Sequence, residues 1–161
     1  MATRPPPSER LDPRALTVWR LGGLLTAMPI VFVVLTVGYG IYRLDLLPGW
    51  LVLTAAIVVV LLAGLGIWPI PDLVWRQWRY EIGDADVDLQ HGWWTVTRTL
   101  IPMSRIQHVD TRRGPLQRRF GLASVILFTA AGSSEIPALA DEVAASTRDR
   151  IAALANVVDE L

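Results

Sequence analysis

Polar and apolar positions divide the chain into three parts. Two long stretches carry no charge: residues 21–42, 22 positions, and residues 46–71, 26 positions. Only Arg43-Leu44-Asp45 separates them. At a rise of about 1.5 Å per residue, either run crosses a hydrocarbon layer about 30 Å thick. The pattern predicts two antiparallel helices joined by a loop of about eight residues, once Pro48-Gly49 is allowed for. A chain this small has too little other mass to bury both helices, so a membrane hairpin over residues 19–75 is expected. Pro29 falls inside the first span. Gly23 and Ala27 form a small-xxx-small pair suited to close helix approach.

After Trp75 the period changes, and residues 76–161 read as a separate domain. Val87 and Leu89 alternate with Asp86, Asp88 and Gln90, which predicts a half-buried strand. His91-Gly92 is a turn. Trp94, Val96 and Leu100 alternate with Trp93, Thr95, Thr97 and Thr99, which predicts the second strand of a hairpin ending at Pro102. Residues 106–111 are extended and 112–121 form a loop around Gly114-Pro115. Residues 122–129 are mostly apolar and suit a strand covered on both faces. A turn at 131–134 leads to a short last strand at 134–137. From Asp141, a candidate N-cap, the period is helical, with Val143, Ile151, Leu154 and Val158 near one face and Thr147 between them. This order, strands first and one amphipathic helix last, predicts a strongly bent sheet plugged by the helix.

Composition narrows the function classes. Hydrophobic residues make up 52% and charged residues 19%, below the roughly 25% usual in soluble domains. An intrinsically disordered chain is excluded. With no cysteine, thiol nucleophiles, cysteine–zinc sites and disulfides are excluded. All 15 basic residues are arginine, which also excludes a lysine Schiff base and a P-loop lysine. The net charge is zero but unevenly spread. Arg4, Arg10, Arg14 and Arg20 precede the first span, Arg76 and Arg79 follow the second, and Arg43 stands alone between them. The positive-inside rule then predicts a multi-pass protein of the inner (plasma) membrane with both termini cytoplasmic. Pro5-Pro6-Pro7 predicts a disordered arm over residues 1–18. Trp19, Trp50, Trp68, Trp75 and Trp78 fall near the expected membrane interfaces.

The stretch Ile101-Pro102-Met103-Ser104-Arg105-Ile106-Gln107-His108-Val109-Asp110 is followed by Gly114-Pro115-Leu116-Gln117-Arg118-Arg119-Phe120-Gly121-Leu122-Ala123. Together these resemble the "IP.SRIQ.V" and "GPL.R.FGLA" patterns of the bacterial pleckstrin-homology-like membrane proteins of the second type, the membrane-flanked domain family. Tyr80 leads the first strand, as in that family. Glu135-Ile136-Pro137-Ala138-Leu139 resembles its "IPGL", with Ala138 in place of glycine. The resemblance covers residues 20 to 155. It implies a two-helix transmembrane hairpin plus an α+β pleckstrin-homology-like domain, a bent antiparallel β sandwich or partly open barrel capped by a C-terminal helix. Fold alone does not fix function.

Arg105, Arg112, Arg113, Arg118 and Arg119 are the densest charge feature, with Asp110 among them. Guanidinium binds phosphate bidentately, so the cluster can meet anionic lipid headgroups or an acidic protein surface. The plain alternative is a solvated loop whose arginines pair with acids of residues 135–161. Nucleic acid is not expected, because no domain-wide basic excess accompanies the cluster. Asp84, Asp86 and Asp88 have calcium-loop spacing, but Leu89 stands where that template needs glycine and Thr95 where it needs glutamate. Outward carboxylates on a strand and its turn are expected instead. His91 and His108 are expected to be structural, and no metal or cofactor is expected. Ser104 lacks a nucleophile elbow. The expected function is therefore non-catalytic: a membrane-tethered module that binds or scaffolds a protein partner or anionic lipid, or associates with itself. The alternative is an accessory subunit of a larger membrane complex docking through its hairpin. A membrane enzyme is the remaining class.

Overall fold

The structure, a computed structural model, describes residues 5–159. Its elements in chain order are β1 (Glu9–Arg10), α1 (Arg14–Arg43), α2 (Gly49–Ile67), α3 (Pro69–Gln77), β2 (Arg79–Ile82), β3 (Asp86–His91), β4 (Thr97–Pro102), a 3-10 turn (Met103–Arg105), β5 (Ile106–Arg112), α4 (Pro115–Arg119), β6 (Leu122–Thr129), β7 (Gly132–Ala140) and α5 (Asp141–Asp159). They form two compact units, one of residues 19–72 and one of residues 1–18 with 73–161.

The 19–72 unit is the helical hairpin. Both helices are long and apolar enough to cross a membrane, and the apolar window of each contains no buried residue. Such surface is stable only in lipid or against other apolar helices. Thr26, Thr36 and Thr54 donate their hydroxyls to carbonyls one turn back, at 2.8–3.1 Å, so these polar groups are satisfied within the helices. The connection is shorter than the pattern predicts, residues 44–48, with Asp45 in the left-handed region at φ 51°. The second apolar run is not one helix. Pro69, which lacks an N–H, starts α3 after a break at Trp68, and its ring disfavours a helical residue before it. Gly23 stands against Ile67, where a Cβ would lie 3.5 Å from the Ile67 Cγ1. One of the two small residues named above therefore does sit where the helices approach closely.

The other unit holds two antiparallel sheets, ordered β1-β2-β3-β4 and β5-β6-β7. Tyr80, Val87, Leu89, Ile101 and Met103 are buried, together with Leu122, Val125, Leu127, Ile136, Leu139 and Ile151. The first six residues of β6, Ser124 among them, are all buried, as expected of a strand covered on both faces. α5 packs on β5, β6, β7 and the 3-10 turn. It does so through Ala144, Thr147 and Ile151, whereas Val143, expected on that face, is exposed.

Two expectations fail in this unit. Residues 1–18 are not a disordered arm as far as they are described. β1 pairs with β2, Glu9 against Tyr80 and Arg10 against Arg79. Pro7, Leu11, Ala15 and Val18 are buried. Ala15 and Val18 anchor the first turns of α1, and the two residues of β1, upstream of the hairpin, add a strand to the sheet. The domain boundary at 76 is corrected accordingly, because the globular unit is built from both sides of the hairpin. The second failure concerns the β3–β4 connection. Residues 93–96 are not strand, and β4 begins only at Thr97. Gly92 has φ +140°, and a Cβ there would collide with the Thr95 carbonyl, so the chain turns tightly where alternation suggests a continuing strand.

Candidate functional site

The five clustered arginines do not form one site. β5 is seven residues long, so at about 3.3 Å per residue Arg105 and Arg112 stand roughly 23 Å apart at its opposite ends. Arg105 is exposed and lines a shallow pocket of about 220 Å³ with Thr99, Pro102, Thr129, Ser133 and Ser134. The other four gather around α4. Gly114-Pro115 opens this short helix, and the Gln117 Oε1 accepts the Gly114 N–H at 2.9 Å. The Gln117 Nε2 donates to the Ser124 hydroxyl at 2.9 Å, which pins α4 to β6. Gly121, at φ +64°, terminates the helix in the left-handed conformation.

Of these four, Arg113 reaches the Asp141 carboxylate at 3.3 Å, the pairing expected of a solvated loop. Arg112, Arg118 and Arg119 are exposed and make no ion pair among the described residues. A fifth arginine, not foreseen in this cluster, joins them. The Arg14 Nη1 donates to the Phe120 carbonyl at 3.1 Å, while its Nε and Nη2 hold Asp12 at 3.0 and 2.9 Å. Those bonds keep the Asp12 carboxyl below its usual range. Arg14 lies on α1, seven positions before Leu21, the first residue of the uncharged run. The Trp75 Nε1 donates to the Asp12 carbonyl at 3.2 Å, so the segments entering and leaving the hairpin are tied together inside this unit.

The tryptophans separate likewise. Trp50 and Trp68 are exposed, and the Arg20 guanidinium lies 4.3 Å from the centre of the Trp68 ring. Trp19 and Trp75 are half-buried. Trp78 is not an interfacial residue. It is buried in the globular unit and stacks on His91 at 5.7 Å, because it follows α3 directly into β2. His108 stacks on Phe128 at 4.3 Å. Among the described residues no three His, Asp or Glu side chains converge as metal ligands. Asp84 is exposed, but Asp88 is not the outward carboxylate expected of it. It is 1% exposed and gripped by Arg98.

The model of the bacterial PH domain family matches residues 22–155. The chain belongs to the bacterial PH domain family. It is 36% identical to the UPF0699 transmembrane protein YdbS of Bacillus subtilis (strain 168) over 157 residues, which covers 98% of each chain. A second relative, the UPF0699 transmembrane protein YdbT of the same organism, is 29% identical over 77 residues, 48% of this chain and 16% of that protein. No solved structure matches significantly. This bacterial PH domain protein is thus a membrane protein with two candidate spans. Its Ala138 has φ +50°, so the position where the resemblance calls for glycine does adopt a glycine-like conformation.

Proposed function

We propose that this bacterial PH domain protein is a non-catalytic, membrane-tethered module whose α4 surface binds anionic lipid headgroups at the cytoplasmic face. One observation carries the reading. Arg112, Arg118 and Arg119 are unpaired among the described residues, and Phe120 beside them is bonded to Arg14, seven positions ahead of the first uncharged run. Each arginine near an anionic leaflet contributes about 1 kcal/mol, and guanidinium matches phosphate geometry. Both histidines are engaged in ring stacking, which favours a structural use for them. The arginine asymmetry around the spans supports cytoplasmic termini.

Hydrogen exchange on the full-length chain in lipid nanodiscs tests this. Residues 112–121 should exchange more slowly in anionic than in neutral lipid, and high salt should remove the difference. Arg118→Gln with Arg119→Gln should abolish it. Equal exchange in both lipids refutes the lipid reading.

A second reading rests on the hairpin. Toward the connecting loop, α1 and α2 line an apolar cleft of about 790 Å³ with Val33, Val37, Ile41, Val52 and Ala56. A neighbouring membrane helix fits such a cleft, which makes the protein an accessory subunit. Purification in mild detergent with a stoichiometric membrane companion would establish that role.

A further inference from the structure

The β3–β4 loop exposes apolar surface that the fold does not use. Trp94 is 85% exposed, Val96 53% and Trp93 49%. Residues 92–97 contain no charge. Two adjacent tryptophans left in water are costly, since each carries on the order of 150–250 Å² of surface. Their place in the unit gives them a use. The Gln77 Nε2 donates to the Trp93 carbonyl at 3.3 Å, and Trp78 stacks on His91 two residues before Trp93. Gln77 ends α3 and stands ten positions after Ile67, the last residue of α2. The loop is therefore bonded to the last residue of the second candidate membrane span, Gly49–Gln77.

We infer that the Trp93-Trp94 loop is a membrane-interface anchor, with its two indoles seated among the headgroups and upper acyl chains of the leaflet that α3 leaves. The lipid interface is the occupant that suits it. It accepts an aromatic body with a polar N–H, and the uncharged loop enters it without desolvating an ion. The tight turn at Gly92 presents the pair outward. This anchor needs no anionic lipid, so it stands apart from the arginine reading.

The chain has no cysteine, so a single label is clean. Thr95→Cys, exposed between Trp94 and Val96, carries an environment-sensitive fluorophore on the full-length protein in phosphatidylcholine nanodiscs. Ser133→Cys, exposed near the start of β7, is the control. Emission from position 95 should shift to the blue and be quenched by a nitroxide carried high on the lipid chain. High salt should not change either signal, and position 133 should show neither. Trp93→Ala with Trp94→Ala, an exposed pair whose loss leaves thermal stability unchanged, should remove the quenching. Water-like emission at position 95, or quenching that survives the double replacement, overturns the anchor. Shielding in native membranes but not in phosphatidylcholine assigns the loop to a protein partner and also overturns it. Failure of the arginine reading appears instead as exchange at 112–121 that ignores lipid charge.

Discussion

Arg98 grips Asp88 with two prongs, Nε 3.0 Å from Oδ1 and Nη2 2.6 Å from Oδ2. The same Nη2 donates to the Pro5 carbonyl at 2.7 Å. The register sets Arg98 opposite Gln90, so Arg98 and Asp88 are diagonal neighbours on one face of the sheet. Val87 and Leu89 fill the opposite face, yet Asp88 is buried too. Arg98, one-third exposed and paired with a buried carboxylate, therefore fastens the segment before the hairpin to a strand that follows it.

Removing Arg98 weakens the hold on a carboxylate that is itself 1% exposed. Arg98→Ala should destabilise the globular unit by about 2 kcal/mol, because the buried Asp88 carboxylate loses its two-pronged guanidinium. Replacing both by leucine should cost clearly less. Thermal unfolding in mild detergent compares the two. Equal losses would mean that Arg98 acts through packing and not as a counter-ion.

The strand supplied from upstream should behave as part of the domain. Leu11 is 2% exposed, and Leu11→Ala should cost about 2–3 kcal/mol. Deleting residues 1–11 should speed amide exchange on the edge of β2 at Arg79 and Tyr80, which lose their β1 partners while β3 stays paired. Unchanged exchange there would show that β1 is a decoration and not a working edge.

The membrane spans and the strand-to-helix order are legible in the sequence because each rests on a long period or an unbroken apolar run. β6 is legible because its residues are mostly apolar. β1 is not, since two residues, Glu9-Arg10, carry no period, and a proline run argues locally for disorder. Its role comes from a non-local pairing with Tyr80. The Trp93-Trp94 loop is misread because alternation continues through a turn that only the Gly92 conformation reveals. Proximity in sequence likewise misplaces Arg105, which an extended strand carries away from Arg112, while Arg14 reaches Phe120 from 106 residues away.

Ala138 offers a test of backbone strain. Ala123 pairs with Leu139 and Val125 with Ile136, so residues 137 and 138 both stand against Ser124, and Ala138 takes the left-handed conformation of this bulge. Holding a non-glycine residue there costs about 1–2 kcal/mol. Ala138→Gly relieves that strain and gives up one buried methyl, about 0.8 kcal/mol, so stability should hold or rise slightly. Ala144→Gly, buried on α5, has no strain to relieve and should lose about 1–2 kcal/mol. A loss at position 138 equal to that at 144 would mean that the bulge is unstrained.

Tyr80 gives the unit an alkaline limit. It is 2% exposed, and burial first, then the hydrogen-bonded Glu9 carboxylate, raises its hydroxyl above the usual value of 10.0. In the unfolded chain Tyr80 releases its proton near pH 10, whereas in the folded chain it keeps it. The stability tied to this difference is fully present below pH 10 and falls as the pH rises above it. Tyr80→Phe removes the titrating group, so the variant should unfold at nearly the same temperature at pH 9 and pH 11, while the parent loses stability over that interval. Because Glu9 lies on β1, Glu9→Gln should weaken the parent's dependence without abolishing it, burial being the larger cause. A parent protein whose stability is flat from pH 9 to pH 11 would show that Tyr80 is reached by solvent, and with it that β1 does not stay on the edge of β2.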